Sequence, residues 1–378
     1  MNAIIKRPVK VLHFARMWGS GLSFVVINYY RNIDKSKVMF DIVSDVNNIF
    51  EEEITAGGGK CFTAPNYKSV FRFCAFVHGL LKKREYDIVH IHEIGQIIPV
   101  LLIAILNGVK VRIIHSHNSN INGKIKKISM PVQRLLFQAL GTRFYGCSVP
   151  ACEFLFGKGT RYKVINNAVD VNKFAFDLNA RNRVRKDLNI ADNANVIGHC
   201  AGVSPAKNHP FLFKVFAEIK NRIPDAILLC VGEGIRTMYI DLARSLGIEK
   251  NVIFYGRSDA VYELYSAMDI FLLPSFYEGL ALVAIEAQAS GLPAIVSTGV
   301  AGECLVTDSA MRLDLSDSVK WIDAILNKLS SPDPLRDRND KKISELITHA
   351  GYNIAVEAKK LEELLLRSLN IAPSMAQY

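Results

Sequence analysis

The chain has 378 residues, half of them hydrophobic, which predicts two or three folded domains and excludes a globally disordered protein. Its net charge of +10 is uneven, because basic residues exceed acidic ones by 15 in residues 1–190 and fall short of them by 5 in residues 191–378. A basic half suits an anionic surface or substrate. No stripe of basic and aromatic residues accompanies the charge, so we expect no nucleic-acid partner.

Neither export nor membrane insertion is indicated by the sequence. No run of 18 apolar residues occurs, and the N-terminal residues lack the apolar segment of a signal peptide. The seven cysteines are scattered, without a CxxC motif or a Cys/His cluster, which favours reduced thiols and no zinc site. We therefore expect a cytoplasmic protein.

The N-terminal half alternates apolar strands with amphipathic helices, which is typical of a doubly wound parallel sheet. Its first strand, "KVLHFA", runs into a turn with Gly19 and Gly21, where the backbone can approach a ligand. Phe24 occupies the third glycine position of a dinucleotide-binding fingerprint, although Asp41 follows at a suitable distance. A nicotinamide-dependent enzyme therefore stays an alternative.

Polar side chains follow two later strands of this half. His90 and His92 end one strand, and His115, His117 and Asn118 end another. Ligands of doubly wound sheets bind beyond the carboxyl ends of the strands. A strand-end histidine is also a common packing or capping residue, so both a functional and a structural interpretation stay open.

A basic segment follows, at residues 122–143. It mixes apolar residues with the bases Lys124, Lys126, Lys127, Arg134 and Arg143. This pattern predicts either an amphipathic surface that docks on anionic lipid headgroups or an ordinary surface helix with a solvated basic face.

The hydrophobic pattern of the first sheet ends near Asn167, and the charged residues 177–188 are interpreted as a linker. A second series of strand, glycine-bearing turn and helix begins at Asn195. The two series predict two Rossmann-like domains with a cleft between them, and residues 341–368 are predicted to be helical throughout.

The most informative stretch of the second series is residues 274–296, "PSFYEGLALVAIEAQASGLPAIV". A strand leads into a turn, a helix from Ala281 and a further strand. The amides at the helix start suit a phosphate, Glu286 two turns in could accept hydrogen bonds from a ribose, and Glu278 could accept them from a second polyol. An ordinary crossover with two solvated glutamates is the alternative.

Together these residues resemble the retaining glycosyltransferases of family 4. The resemblance is carried by "EGLALVAIE" at 278–286, "GVSPAKNH" at 202–209, "VGEG" at 231–234, "YGRSDAVYELY" at 255–265 and "VINNAVDVNKF" at 164–174. The segment "RIIHSHN" at 112–118 is similar to the subset that builds capsular and exopolysaccharides.

The resemblance implies the α/β fold called GT-B, with two Rossmann-like domains facing each other across a cleft. The first domain would span residues 1–172 and take back a C-terminal helix of about 355–378, and the second would span 173–354. A hexose or N-acetylhexosamine would pass from a nucleotide sugar, a UDP-sugar by expectation, to a lipid-linked or glycan acceptor with retention of configuration. No metal or other cofactor is implied, and the enzyme would associate peripherally with the anionic inner face of the cell membrane.

The resemblance also implies roles for individual residues. Glu286 would hold the ribose hydroxyls, Glu278 would orient the transferred sugar, and Lys207 would neutralise the leaving diphosphate. The implied catalytic residues are Glu278, Lys207 and His117, and the acceptor or membrane surface comprises Lys124, Lys126, Lys127 and Arg134. The donor-binding residues are Gly202, Ser204, Lys207, Asn208, Tyr255, Arg257, Glu278, Gly279, Leu280, Ala281, Leu282 and Glu286, and the N-terminal loop residues are Gly19, Ser20, Gly21 and Asn118.

Two positions depart from the family pattern. Val203 stands where the family commonly has a phosphate-binding arginine, and Ser23 replaces an acid of the N-terminal glycine loop. Either Lys207 with another base such as Arg16 or His199 compensates for the missing arginine, or activity is low. A catalytically impaired nucleotide-sugar-binding protein and a sugar-nucleotide epimerase on the same fold are therefore the alternatives.

Overall fold

The computed structural model describes residues 7–19, 21–83, 85–117, 124–278, 280–330 and 340–370, without the side chains of 124–129, 340 and 370. Internal contacts divide the chain into two units. The first is Met1–Ala168 with Ile354–Tyr378, and the second is Val169–Asn353. This division falls four residues before the boundary predicted between residues 172 and 173.

The first unit is built on a seven-stranded parallel sheet with the strand order β3-β2-β1-β4-β5-β6-β7. Its strands are β1 Val9–Phe14, β2 Val38–Ser44, β3 Cys61–Thr63, β4 Ile88–Ile91, β5 Val111–Ser116, β6 Arg143–Gly146 and β7 Lys163–Val164. Its helices are α1 Gly21–Asn32, α2 Glu51–Ala56, α3 Val70–Lys83, α4 Ile97–Leu106, α5 Lys124–Leu140 and α6 Val149–Phe156.

The central strands of this sheet are buried on both faces, as expected of a parallel sheet covered by helices. On one face Phe14, Val89 and Ile91 pack with Phe73 of α3 in the apolar core. Because side chains alternate along a strand, the neighbouring positions of β1 and β4 face the other way. Those positions carry His13 and His90, which lie opposite each other in the register.

The second unit contains a six-stranded parallel sheet with the order β10-β9-β8-β11-β12-β13. Its strands are β8 Val196–Cys200, β9 Ile227–Val231, β10 Val252–Gly256, β11 Ile270–Leu273, β12 Ala294–Ser297 and β13 Met311–Leu313. Its helices are α7 Leu178–Asp187, α8 His209–Arg222, α9 Ile235–Ser245, α10 Val261–Ala267, α11 Leu282–Ala289, α12 Ser318–Ser330 and α13 Asp340–His349.

The interpretation of the charged residues 177–188 as a linker was wrong, since they form helix α7 of the second unit. The Asp177 side chain caps this helix by accepting hydrogen bonds from the amides of Asn179 and Ala180, at 2.8 and 3.2 Å. Arg185 is only 1% exposed and donates to Asp269 Oδ2 at 2.7 Å. The charges thus form specific contacts, exposed for Asp177 and buried for Arg185, which composition alone does not distinguish from a solvated linker.

The C-terminal residues form two helices rather than the single predicted one. Helix α13 ends at His349, and α14 spans Ile354–Asn370 within the first unit. Between them Gly351 has φ +81°, a left-handed conformation that favours glycine and ends α13. Glu362 of α14 accepts a hydrogen bond from Lys37 Nζ at 3.0 Å, and the predicted extension over 371–378 lies outside the described residues.

Within the part of the chain that the structure describes, no helix is both long enough and apolar enough to cross a membrane.

Candidate functional site

Two loops at the carboxyl ends of β8 and β11 form the candidate site of the second unit. After β8, a 3-10 helix covers Pro205–Lys207, and Ser204 caps it by accepting a hydrogen bond from the amide of Ala206 at 3.3 Å. Asn208 then adopts the left-handed conformation, with φ +51°, and leads into α8. The Phe276 amide donates to the Ala206 carbonyl at 2.7 Å, which ties the loop after β11 to the loop after β8.

This tie brings together Lys207 and Glu278, two residues that the sequence analysis assigned to the site. Lys207 Nζ forms an ion pair with Glu278 Oε1, and Ser275 Oγ donates to the same oxygen at 2.9 Å. The two side chains are 23% and 18% exposed, so both stay accessible to a ligand. The ammonium group is thus presented by one loop and held by the carboxylate of the next.

Glu286 lies apart from this ion pair, on the second turn of α11. Tyr265 of α10 donates its hydroxyl to Glu286 Oε2 at 3.0 Å. Burial raises the pKa of the Glu286 carboxyl to about 7, and the hydrogen bond from Tyr265 opposes that shift. Glu286 therefore changes charge near neutral pH, and it can accept hydrogen bonds from further hydroxyls when it is ionised.

The start of α11 differs from the prediction by one residue. The helix begins at Leu282, and the Leu282 amide already donates to the Leu280 carbonyl at 3.1 Å. Ala281 precedes the helix and is buried. Gly279, predicted to supply another phosphate-binding amide, lies outside the described residues.

Two glycines that the sequence analysis did not assign to the site allow these loops to approach closely. A Cβ atom at Gly232 would collide with the Ala201 carbonyl, and one at Gly299 would collide with the carbonyl of Phe276. Gly299 also accepts a hydrogen bond from the Glu278 amide at 3.0 Å. Gly232 directly follows β9 and Gly299 lies two residues after β12, and these positions were the available signal in the sequence.

The remaining predicted donor residues lie at the same carboxyl-terminal edge of the sheet. Gly202 lies just after β8. Tyr255 lies near the end of the edge strand β10 and Arg257 follows that strand, and both side chains are exposed. Val203, at the position of the missing arginine, packs against the apolar core of the unit. It therefore supplies no charge to the candidate site.

The two bases expected to compensate for that arginine are both otherwise engaged. His199 is fully buried, its Nδ1 atom lies 2.9 Å from the Leu272 carbonyl oxygen, and burial lowers its pKa to about 3, which favours the uncharged ring. Arg16, in the first unit, donates from Nε to Asp45 Oδ1 at 2.8 Å. Lys207 is thus the cation that the structure places in these loops.

In the first unit, the glycine loop is held by the serine that replaces the family's acid. Ser23 is fully buried, accepts a hydrogen bond from the Gly19 amide at 3.2 Å and donates to the Arg16 carbonyl at 2.9 Å. Gly19 has φ +94°, Gly21 begins α1, and Ser20 lies outside the described residues. Ser23 therefore has a structural role at the start of this helix.

His117 follows β5 and is partly buried. Its Nε2 atom lies 2.8 Å from Nδ1 of His92, and burial lowers its pKa to about 3. An uncharged imidazole can donate or accept a hydrogen bond but cannot neutralise a phosphate. Asn118, the neighbouring predicted residue, lies outside the described residues.

The predicted acceptor or membrane surface lies on α5. The side chains of Lys124, Lys126 and Lys127 lie outside the described residues, and Arg134 donates from Nη2 to the Phe154 carbonyl of α6 at 2.7 Å. Val132 and Leu135 are 62% and 67% exposed. The described part of α5 therefore presents apolar side chains to solvent beside a basic segment of the sequence.

Comparison with known proteins points to one family. The family model described as "Glycosyl transferases group 1" matches residues 180–311. The Bacillus subtilis (strain 168) protein EpsF, which is named as a glycosyltransferase, is 34% identical over 373 residues, covering 93% of this chain and 94% of EpsF. The Escherichia coli UDP-Gal:alpha-D-GlcNAc-diphosphoundecaprenol alpha-1,3-galactosyltransferase is 28% identical over 304 residues, covering 77% of this chain and 78% of that enzyme.

Solved structures share the fold at low sequence identity. Anabaena Alr3699/HepE in complex with UDP has a TM-score of 0.78 and 16% identity, covering 95% of this chain and 100% of HepE. Sucrose-phosphate synthase from Thermosynechococcus elongatus has a TM-score of 0.77 and 16% identity, covering 96% of this chain and 100% of the synthase. The predicted α/β fold with two Rossmann-like domains is therefore confirmed.

Proposed function

This chain belongs to the group 1 glycosyltransferases of the GT-B fold, and from that premise we propose that it transfers a hexose or N-acetylhexosamine from a UDP-sugar to a lipid-linked glycan. The name of the E. coli relative specifies a UDP-sugar and a diphosphoundecaprenol-linked acceptor, and HepE was solved with UDP. The reaction would belong to the assembly of a capsule or other surface polysaccharide.

The observation that carries this proposal is the contact between Lys207 and Glu278. A diphosphate carries more negative charge than one carboxylate, so a bound donor would draw the ammonium group onto its phosphates. Glu278 would then be free to accept hydrogen bonds from the hydroxyls of the transferred sugar. Lys207 would stabilise the negative charge that develops on the leaving nucleotide.

Glu286 would bind the nucleotide through its ribose. An ionised carboxylate offers about four acceptor sites, and Tyr265 uses one of them. Tyr265 thus acts as a positioning residue that fixes the orientation of the carboxylate. The exposed Tyr255 and Arg257 at the end of β10 would contact the base.

We propose that transfer retains the anomeric configuration and needs no metal ion at the donor phosphates, because Lys207 supplies positive charge there. The configuration of the product is read by NMR, and inversion would overturn the first statement. Adding Mg²⁺ or Mn²⁺ should leave turnover unchanged, and strict dependence on either ion would overturn the second.

The enzyme would work at the cytoplasmic face of the cell membrane. Basic residues exceed acidic ones by 15 in residues 1–190, which suits a pyrophosphate-linked lipid and anionic headgroups. The exposed Val132 and Leu135 of α5 would add apolar contact with the bilayer. Co-sedimentation with anionic and with neutral vesicles tests this, and equal binding to both would contradict it.

The turnover of the Lys207→Met variant tests whether Lys207 stabilises the leaving nucleotide. UDP release is measured with UDP-sugars and an undecaprenyl-diphosphate-linked sugar as the acceptor. Loss of one preorganised electrostatic group typically lowers the rate by about 10²–10³-fold. The matched control is Lys214→Met, since Lys214 is an exposed lysine of α8, and equal turnover of the two variants would show that the role of Lys207 is wrong.

Val203 favours a second candidate, a protein that binds nucleotide sugars without turning them over. A forked cation beside the diphosphate is missing, and both other candidate bases are engaged elsewhere. The same assay separates the two functions. Binding of UDP without any UDP release, over a panel of donors and lipid-linked acceptors, would establish the second.

A further inference from the structure

Five histidines occupy one face of the sheet in the first unit. His13 lies on β1, His90 and His92 lie at the end of β4, and His115 and His117 lie at the end of β5. The first four side chains belong to residues that are 7% exposed or less. The sequence analysis singled out all of them except His13, whose place beside His90 in the register completes the cluster.

The rings are joined by three contacts between nitrogen atoms. His13 Nδ1 lies 3.0 Å from His92 Nε2, and His92 Nδ1 lies 2.8 Å from His117 Nε2. His90 Nε2 lies 3.2 Å from His115 Nδ1. Burial lowers the pKa of His13 to about 3, and burial is also the main cause that lowers those of His90, His92 and His115 well below the ordinary value.

Several ring nitrogens of the cluster have no hydrogen-bond partner among the described residues although they are buried. They are His13 Nε2, His90 Nδ1, His115 Nε2 and His117 Nδ1. A buried polar atom without a partner typically costs about 1–3 kcal/mol. Five neutral imidazoles leave two N–H groups and two lone pairs among these four atoms, because each of the three contacts uses one N–H and one lone pair. The cluster is thus costly as a packing device, and each ring has one lone pair that a cation can bind.

We propose that His13, His90 and His92 bind one divalent transition-metal ion, with Zn²⁺ as the best fit. One ring nitrogen from each of these residues lies within 4.8 Å of the other two. His13 Nδ1 and His92 Nε2, at 3.0 Å, are already close to the roughly 3.3 Å that separates two nitrogens bound tetrahedrally to zinc. His90 would contribute Nδ1, which has no hydrogen-bond partner among the described residues, and would keep Nε2 for its contact with His115.

For two of the three ligands, His90 and His92, the second ring nitrogen already faces another histidine, whereas His13 Nε2 has no partner among the described residues. A histidine ligand usually donates its second N–H to a neighbouring acceptor, which fixes the ring and its tautomer. His92 Nδ1 would donate to His117 Nε2, and His90 Nε2 would donate to His115 Nδ1. Metal binding in the first unit would therefore place the proton of His117 on Nδ1, the atom without a partner.

A second group of three histidines, His92, His115 and His117, overlaps with the first. A neutral imidazole has a single lone pair for a metal, so His92 serves one ion only. The group with His13 and His90 is favoured because all three of its members are buried, whereas His117 is partly exposed. Three imidazoles and no thiolate suit Zn²⁺, Ni²⁺ or Cu²⁺ rather than Mg²⁺ or Ca²⁺.

The proposal is tested on the full chain after treatment with a chelator and confirmation of native circular dichroism. Titration with Zn²⁺ should show one equivalent bound, with a rise in melting temperature. Titration with Co²⁺ should give the visible absorption of a tetrahedral nitrogen site. Folded protein that binds neither ion stoichiometrically would overturn the proposal.

Three variants test how much individual histidines contribute to metal binding. His90→Gln should abolish stoichiometric binding, and His115→Gln, which removes only the partner of His90, should weaken it about 10-fold. The matched control is His209→Gln, because His209 is a fully buried histidine of the second unit, outside the cluster. Unchanged affinity in His90→Gln, or equal loss in His90→Gln and His209→Gln, would show that the site is wrong.

A spectroscopic measurement keeps the test valid even if His90→Gln fails to fold. X-ray absorption at the zinc edge of the wild-type protein should show imidazole nitrogens at about 2.0–2.1 Å and no sulfur. Sulfur ligands would instead assign the ion to the cysteines. UDP binding, measured on the same samples, reports separately on the second unit.

Discussion

In the first unit, β1, β4 and β5 carry five imidazoles at or near their carboxyl ends. In the second unit, β8 carries the buried His199, but β8 and β11 lead into loops with charged side chains. The two sheets share one strand order, so β1 corresponds to β8 and β4 to β11. His13, His90 and His92 are uncharged and buried, while Lys207 and Glu278 are ion-paired and partly exposed.

The difference shows that one scaffold serves two kinds of polar chemistry. Neutral rings can be buried at a moderate desolvation cost, whereas burying a charged pair costs much more unless it is well hydrogen-bonded. The charged loops of the second unit are therefore where an anionic nucleotide would bind. The imidazoles of the first unit suit a ligand that replaces hydrogen-bonded protons, such as a metal ion.

The largest expected effect comes from a charge that the second unit does bury. Arg185 is 1% exposed and pairs with Asp269 at 2.7 Å. Breaking a buried ion pair by removing one partner typically costs about 3–5 kcal/mol. Asp269 is 21% exposed and keeps its ion pair with Arg181, so Arg185→Met should lower the free energy of unfolding by at most that amount, measured by urea denaturation.

The control for this prediction is Arg183→Met, on the same helix. Arg183 pairs with Glu263 at 2.9 Å, but its side chain is 52% exposed. Its removal should leave the urea midpoint unchanged. If Arg185→Met were equally harmless, the buried contacts of Arg185 would not stabilise the second unit.

A smaller effect is expected from Glu286 in the absence of nucleotide. Its folded-state pKa of about 7 exceeds the ordinary 4.5, so its stabilising contribution is complete below about pH 4.5 and is lost as the pH rises through 7. Glu286→Gln removes the ionisable group, so this variant should match the wild type near pH 4 and exceed its stability at pH 8 by up to about 3 kcal/mol. The exposed Glu303→Gln should show no such divergence in urea denaturation.

The same carboxyl group predicts how nucleotide binding depends on pH. If ribose hydroxyls donate to an ionised Glu286, UDP affinity should fall about 10-fold between pH 8 and pH 6, because about a tenth of the carboxyl groups is ionised at pH 6. Calorimetry on Glu286→Gln isolates the titration of UDP itself. An identical pH profile in the variant and the wild type would show that Glu286 does not bind the nucleotide.

The smallest effect is expected in the glycine loop of the first unit. Ser23→Ala removes the hydroxyl that bonds to the Gly19 amide and to the Arg16 carbonyl. The loss should lower stability by about 1 kcal/mol and leave UDP affinity unchanged. Ser245→Ala, at an exposed serine of α9, should do neither, and a loss of UDP affinity in Ser23→Ala would show that this loop contributes to donor binding.

The sequence was sufficient to predict the alternation of strands and helices and the assignment of Lys207, Glu278 and Glu286 to one domain. It was insufficient where contacts join distant residues. Tyr265 lies 21 positions before Glu286 on another helix, and His13 is a single histidine in an apolar strand. No local pattern marks either residue, because their roles arise only when the sheet is assembled.

Charge was the most misleading signal in the sequence. Residues 177–188 have the composition of a solvated linker, yet Asp177 caps the helix and Arg185 lies in the interior. The absence of a charge at Val203, where the family commonly has an arginine, was visible in the sequence. The absence of a charge on His199 was not, because it depends on burial. Composition predicts how many charges a segment has but not whether they are solvated.

The close approach at Gly299 has a consequence for engineering the donor preference of this enzyme. Any side chain there would displace the Phe276 carbonyl and, with it, the segment that carries Glu278. The adjacent residues Phe276 and Tyr277 are 56% and 63% exposed, so their side chains can be replaced without displacing the backbone. A library that varies these two aromatic residues and keeps Gly299 would explore new sugar preferences on an undisturbed scaffold.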